Sequence, residues 1–338
     1  MRFGFSEDQK LFQATLAELL TDECHHEALA AAWETDAGWV PGLWEKLAAM
    51  GVTGMSVPEE HGGIGLDDTD LVLLLEEAGR AACPEPLAET VAIATPLLAE
   101  VGGAHADTWL PKIAGGEARA AIGLERERFV ADAAAADLLI LQRGDALHAV
   151  PASSVKTAAR DSVDGARRLY AVEWTPSADT LLADGDTGHA LGNRVANRAA
   201  LAAAAQLVGL GSELIRLTVE YAKGRVQFGQ PIGAFQAVKH HIANAYTQLE
   251  LARPTVYWAS NSVAKNTDSI DLDVSTAKAL ASDAAHACFR AALQCHGAIA
   301  YTYEYQAHMW MKRVLVLREA YGSSAWHRRR AARSLIDG

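Results

Sequence analysis

The sequence predicts a mainly α chain with a small β domain set between two helical regions. Three observations point there. Apolar residues recur at steps of three and four through the first third of the chain and again through the last, as packed helices require. The stretch between them breaks into short β-type runs separated by turn residues. Glycine and proline cluster at the joints, where they stop helices. The expected organisation is an N-terminal helical domain over 1–118, a shortened, barrel-like β domain over 119–190 and a C-terminal four-helix bundle over 191–338.

Taken in order, Ser6-Glu7-Asp8-Gln9 forms a capping box that opens the first helix, which continues through Leu11, Phe12, Leu16, Leu19 and Leu20. Trp44 to Gly51 closes a second helix on a glycine cap. Val57 to Leu66 is a loop, because Pro58, Gly62, Gly63 and Gly65 break any helix there. A third helix carries Leu71, Leu74, Leu75 and Ala78 on one face. Strands are expected at 120–124, 138–141, 147–150 and 169–174, with Gly144-Asp145 as a hairpin turn between the second and third. From about Asn197 the chain returns to helix, with Leu207, Leu210, Leu214, Leu217 and Tyr221 as a packing stripe. A long helix after Gln236 is expected to break at Pro254, another to span about Val274 to Leu293, and the last to start near Gly322.

Composition narrows the function. The chain has 338 residues, of which 50% are hydrophobic and 21% charged, which suffices for a sizeable core. A net charge of -12 argues against nucleic acid as a partner. The four cysteines form no C-x-x-C pair, so neither a disulfide framework nor a zinc site is expected. The N-terminus lacks an apolar signal core, and no run approaches the roughly 18 uninterrupted apolar residues of a membrane span. A cytoplasmic, reduced setting is the expectation. Cys295-His296 could suggest ligands or a nucleophile, but neighbours on a helix point apart. His25, His26, His240 and His241 read as surface residues, and the basic run from His327 to Arg333 as a solvated helix face.

The most informative stretch is Arg225-Val226-Gln227-Phe228-Gly229-Gln230-Pro231-Ile232-Gly233-Ala234-Phe235-Gln236. It sets one cation, three amides and two aromatics around a turn. A guanidinium grips phosphate through a fork of donors, which suits Arg225. Phe228 can lie against a flat ring, while Gln227, Gln236 and Gln294 can satisfy polar edges. Gly297 lets backbone come close to a ligand.

This stretch resembles the R-x-x-F-G-x-P-I-x-x-F-Q segment of acyl-CoA dehydrogenases. Val57-Pro58-Glu59-Glu60-His61-Gly62-Gly63-Ile64-Gly65 resembles that family's V-P-E-x-x-G-G-x-G loop, and Gln294 to Tyr301 its Q-x-x-G-G-x-G-Y segment. The resemblance implies the acyl-CoA dehydrogenase fold, an acyl-CoA substrate, FAD and an electron-transfer acceptor. It implies cofactor contacts at Arg225, Gln227, Phe228, Gln236, Gln294 and Gly297, made mainly to the FAD of a neighbouring subunit.

The resemblance also implies a carboxylate that removes the substrate α-proton, and none stands where the family keeps it. Matching glycine to glycine in Glu319-Ala320-Tyr321-Gly322-Ser323-Ser324 puts Tyr321 at that position, and a phenol with a pKa near 10 is a poor base. The family's alternative position falls near Ala199, between Arg198 and Ala200. Glu319 lies two residues from the first. The strand at Ala121 to Glu127 runs almost directly into Phe129-Val130-Ala131-Asp132, without the family's T-E-P-x-x-G-S-D loop that holds a subunit's own flavin. Ala298 and Ala300 replace glycines. What is kept serves a partner's flavin and what is lost serves the chain's own. The expectation is therefore a subunit without catalytic residues, completing the FAD site of a larger homologous subunit in an α2β2 assembly that acts on a bulky or steroidal acyl-CoA. The alternatives are a self-sufficient homo-oligomeric dehydrogenase using Glu319 or Tyr321, and a flavin-free binding or scaffold protein.

Overall fold

The computed structural model describes residues 4–336. Helices α1 (Glu7–Glu23), α2 (His26–Trp33), α3 (Leu43–Ala49) and α4 (Asp68–Arg80) come first, followed by a π-helical segment (Ala88–Ala94), α5 (Thr95–Val101) and α6 (Gly103–Ala114). The strands are β1 (Ala120–Gly123), β2 (Val130–Ala131), β3 (Leu138–Arg143), β4 (Ala146–Pro151), β5 (Lys156–Arg160), β6 (Leu169–Glu173) and β7 (Leu181–Ala183). Then come α7 (Gly185–Gly224), the short strands β8 (Val226–Gln227) and β9 (Gln230–Pro231), α8 (Gln236–Ala264), α9 (Ile270–His296), α10 (Ala307–Glu319) and α11 (Ser324–Ile336).

Local chemistry explains most of these boundaries. The Ser6 amide donates to Gln9 Oε1 at 2.7 Å and the Gln9 amide to Ser6 Oγ at 3.1 Å, the reciprocal bonds of a capping box. At the end of α3, the Gly51 amide reaches Ala48 O and the Val52 amide Leu47 O, a Schellman cap with Gly51 at φ +85. Between β3 and β4, Gly144-Asp145 forms the two-residue turn, with Arg143 paired to Ala146.

Two compact units form. One comprises Glu23–Leu71 and Pro84–Ala202. Its four-stranded sheet runs β1-β3-β4-β7, with β1 parallel to β3 and the other pairs antiparallel. A three-stranded sheet runs β2-β6-β5. Alternate residues Leu139 and Leu141 share one face and pack with Ala121, Val130 and Val150. Only residues 124–129 separate β1 from β2. In the helical part, Trp44 is fully buried and its indole donates to Gly116 O at 2.9 Å. The Arg119 guanidinium lies over Trp39 and Trp44, 4.4 and 4.8 Å from their ring centres. It also sits 3.6 Å from the buried Glu85 carboxylate. Burial pushes the Glu85 carboxyl up to about 7, against the pull of Arg119 and with Glu45 adding to the rise.

The other unit comprises Met1–Asp22, Val72–Cys83 and Ala203–Gly338. Here α9 packs against α8, α10 and α11, a helical bundle. The α4 and α7 backbones meet closely. A Cβ at Gly79 would lie 2.1 Å from Gln206 O, and one at Gly209 would lie 1.9 Å from Glu76 O. Beside this crossing, Glu76 is buried in a network with Arg253, and the Tyr257 hydroxyl donates to it at 2.7 Å.

Several expectations need correcting. Helix α7 starts at Gly185, ahead of Asn197, because Gly188 and Gly192 hide the helical signal while fitting against Asp145 O and the Gln142 amide. Helix α8 runs through Pro254, since its buried stripe Leu249, Ala252, Val256, Ala259 and Val263 continues across it and packing outweighs one lost bond. Helix α10 and strand β5 were not expected, and every residue of β5 is exposed. Helix α7 also has the length and composition of a membrane span, but 83% of that stretch is buried in the protein, as in a core helix.

Two outcomes follow. Gly209→Ala should cost about 2–3 kcal/mol in chemical denaturation, because the methyl has no room against the α4 backbone. An acid held near 7 in the fold and near 4.5 when unfolded keeps its proton longer in the native state, so its stabilising contribution disappears as pH rises between those values. Denaturation midpoints should therefore show Glu85→Gln gaining on the wild type from about pH 4.5 to 7 and levelling off above, by at most about 3 kcal/mol.

Candidate functional site

The Arg225–Gln236 segment is a hairpin projecting from the end of α7. The Arg225 amide closes the helix on Tyr221 O at 2.9 Å, and the Ile232 amide returns to Arg225 O at 2.8 Å. Strands β8 and β9 pair Val226 with Pro231 and Gln227 with Gln230. Phe228 and Gly229 form the two-residue turn, both left-handed at φ +54 and +81. Glycine suits such a turn and phenylalanine does not, yet Phe228 stands there 93% exposed. The Phe235 ring meets it edge-on at 6.1 Å.

Arg225, Gln227, Gln236, Gln294 and Gly297 are all exposed. The Arg225 guanidinium has no ionic or hydrogen-bonded partner among the described residues. Among the described residues the Gln227 side-chain amide donates to the neighbouring Val226 O, at 2.8 Å. Residues 221–249 contain no Asp or Glu but hold Lys223, Arg225 and Lys239, a positive region within an acidic chain. Helix α8 is N-capped by Phe235, which offers no acceptor, so its first turn adds unsatisfied donors to the same region. An apolar groove of about 710 Å³, lined by Ile215, Val219, Pro231, Ile242 and Tyr246 among others, lies between α7 and α8.

Gln294 and Gly297 occupy the end of α9, where Gly297 terminates the helix at φ +69. Tyr221, one turn before Arg225 and half-buried, stacks on the buried His296 at 4.3 Å, so the two segments meet through these rings. Cys295 and His296 are both buried, and burial raises the Cys295 thiol and lowers the His296 imidazole. Among the described residues no cluster of three or more His, Cys, Asp or Glu side chains could hold a metal.

The positions where a base was sought are occupied otherwise. Tyr321 is 5% exposed at φ +57, with its carbonyl accepting from His327 Nε2 at 3.0 Å. Beneath it, the fully buried Lys278 donates to Arg318 O and Gly322 O, each at 3.1 Å. Glu319 points into solvent beside Arg318, at 3.4 Å. Ala199 and Ala200 are fully buried, and the neighbouring Arg198 pairs with Asp68 at 3.3 Å. Lys278 and His327 escaped the sequence reading. His327 is fully buried and Arg330 is largely covered, so the basic run is not a uniformly solvated face. A signal for Lys278 existed, since it falls on the apolar stripe of Val274, Ala277, Ala281 and Ala285.

A helical bundle, a small β region and an exposed hairpin carrying a cation and amides describe the fold and its candidate site, and the comparisons with known proteins give the class. Residues 6–117 match the acyl-CoA dehydrogenase N-terminal domain and residues 187–336 the acyl-CoA dehydrogenase C-terminal domain. The chain belongs to the acyl-CoA dehydrogenase family, FAD-dependent oxidoreductases that act on acyl-CoA. It is 36% identical over 313 residues to acyl-CoA dehydrogenase IpdE2 of Mycolicibacterium smegmatis, covering 91% of this chain and 92% of that one. In fold it resembles the ChsE4–ChsE5 complex of Mycobacterium tuberculosis, with TM-score 0.89, 22% identity and full coverage of both chains. It likewise resembles the steroid ACAD Tcur3481–Tcur3483, with TM-score 0.86, 24% identity and 98% of each chain covered.

Strain at an exposed tip predicts its own reversal. Phe228→Gly should stabilise the isolated chain by about 0.5–1 kcal/mol in thermal denaturation, since glycine adopts the left-handed turn without the Cβ clash and no buried contact is lost.

Proposed function

We propose that this chain is the subunit of a heteromeric acyl-CoA dehydrogenase that completes the FAD site of a larger homologous subunit and leaves proton abstraction to that partner. One observation carries the reading. A cationic hairpin with an unpaired Arg225 and a strained, 93% exposed Phe228 is presented outward, while both base positions lack a carboxylate.

The residues present fit the cofactor. Arg225 and the open first turn of α8 would hold its diphosphate. Phe228 would cover a ring face, and Gln227, Gln236 and Gln294 would satisfy polar edges. Gly297 leaves room for close backbone approach. When bound, the flavin supplies the hydride acceptor. The chain's own part is to bind, orient and shield. The short link between β1 and β2 supports the absence of a flavin pocket belonging to this chain. Likeness to the ChsE4–ChsE5 complex supports a heteromeric assembly, for which we propose α2β2, and likeness to a steroid ACAD supports a bulky, steroidal acyl-CoA substrate. Four buried cysteines, none of them in a disulfide among the described residues, agree with a reduced cytoplasmic setting. An electron-transfer acceptor is the further partner.

The self-sufficient reading has less support: Glu319 is solvated and Tyr321 is enclosed beneath its own turn. Expressed alone, the chain should purify colourless and inert towards acyl-CoA. Co-expressed with the partner, it should yield a yellow complex reduced by substrate. In that complex Glu319→Gln and Tyr321→Phe should each keep activity within about threefold, whereas loss of a true base costs roughly 10²–10⁴. A chain that carries flavin by itself and reduces it with an acyl-CoA would overturn the proposal, and a complex without a flavin absorption band would favour the scaffold reading.

A further inference from the structure

Behind the exposed Arg225 and Gln294 lies an aromatic stack of a buried His296 between two half-buried tyrosines. The His296 ring lies 4.3 Å from Tyr221 at an interplanar angle of 30° and 4.9 Å from Tyr305, while Tyr221 and Tyr305 meet edge-on at 5.7 Å. His296 Nδ1 lies 2.8 Å from Ala292 O, and a carbonyl can only accept, so Nδ1 carries the proton. Nε2 then keeps its lone pair and accepts from the Tyr305 hydroxyl at 3.1 Å. Glu213 and Arg216 on α7 face the Tyr305 hydroxyl but neutralise each other at 2.6 Å, and neighbouring Cys295 is buried as a thiol. Burial holds His296 below the usual imidazole range and Tyr305 above the usual phenol range, in keeping with a neutral stack.

The position of the stack gives it a role. Tyr221 stands one turn before Arg225 and accepts its amide at 2.9 Å. His296 stands between Gln294 and Gly297. The cofactor-facing residues Arg225, Gln227, Gln236, Gln294 and Gly297 are exposed, and their two segments would lose conformational freedom on gripping one rigid ligand unless their mutual register were set beforehand. We infer that His296, clamped between Tyr221 and Tyr305, is a positioning residue that registers the Arg225–Gln236 hairpin against the Gln294–Gly297 turn. This rests on the shared-cofactor function proposed above. The imidazole itself touches neither substrate nor cofactor.

The experiment is a double-mutant cycle on the complex of this chain with its larger partner, stripped of flavin and titrated with FAD while flavin fluorescence is followed. His296→Ala should weaken FAD binding by roughly tenfold, the loss of ring and register together. Tyr305→Phe, which keeps the ring and removes one buried hydrogen bond, should weaken it by about threefold. In an Arg225→Ala background, His296→Ala should cost less than about twofold, because the contact it positions is already gone. Melting curves by circular dichroism establish that each variant is folded. If His296→Ala leaves the Kd unchanged in a complex that melts as the wild type, or costs as much without Arg225 as with it, the clamp has no positioning role. Should His296→Ala fail to fold, Tyr305→Phe and its own cycle with Arg225→Ala decide the question by the same criteria. A wild-type complex that binds no FAD overturns the shared site itself and the clamp's role with it. That result is separable from the others, since they require a wild type that binds.

Discussion

The close approach of α4 and α7 underlies the unit that carries the candidate site. Gly79 and Gly209 bring two backbones together at distances no side chain allows, and this sets where α7 lies. Around the crossing, α7 is lined with Ala199, Ala200, Ala202, Ala203, Ala204 and Ala205, all buried. The buried Glu76, Arg253 and Tyr257 network sits at the same level and ties α8 to α4, so the crossing and the network fix α7 and α8 together. Those two helices are the ones the hairpin joins.

From that framework the hairpin inherits position but not burial. Its tip keeps a phenylalanine in a left-handed conformation and in water, an arrangement unfavourable on both counts for an isolated chain. Strain of this kind persists where surrounding structure or a partner over-determines it. The contrast with the other end of the bundle is instructive. There, Lys278 and His327 spend their donors on the carbonyls of Arg318, Gly322 and Tyr321, so the turn where a base was sought is tightly held and closed inward. One surface of the unit presents exposed polar and aromatic side chains, and the other closes its polar groups on one another.

Much of the fold was legible because it depends on neighbours in sequence. The Ser6–Gln9 box, the Gly51 cap and the Gly144-Asp145 hairpin are local hydrogen-bonding solutions, and each formed as read. The strands at Leu138 and Leu147 were legible because a buried strand must be apolar. Strand β5 was not, since Lys156 to Arg160 is exposed and carries no alternation. Pro254 was misjudged because a local rule weighs one lost hydrogen bond and cannot weigh the buried stripe that spans it. His327 was misjudged for a similar reason: its basic neighbours suggested a solvated face, but the ring turns inward to Ser275 and Tyr321 O.

By itself the sequence determined the order of helical and β regions and the family, and it singled out Arg225, Gln227, Phe228, Gln236, Gln294 and Gly297 as the residues of the candidate site. Periodicity, caps and motifs are short-range properties, and a linear chain records them directly. Only the tertiary structure decided that these residues stand exposed while the base positions are closed. It alone joined Tyr221 to His296 and set Lys278 beneath Tyr321. Those relations bring together residues some 40 to 75 positions apart, and burial of the groups between them, which no local pattern encodes, is what selects the pairing.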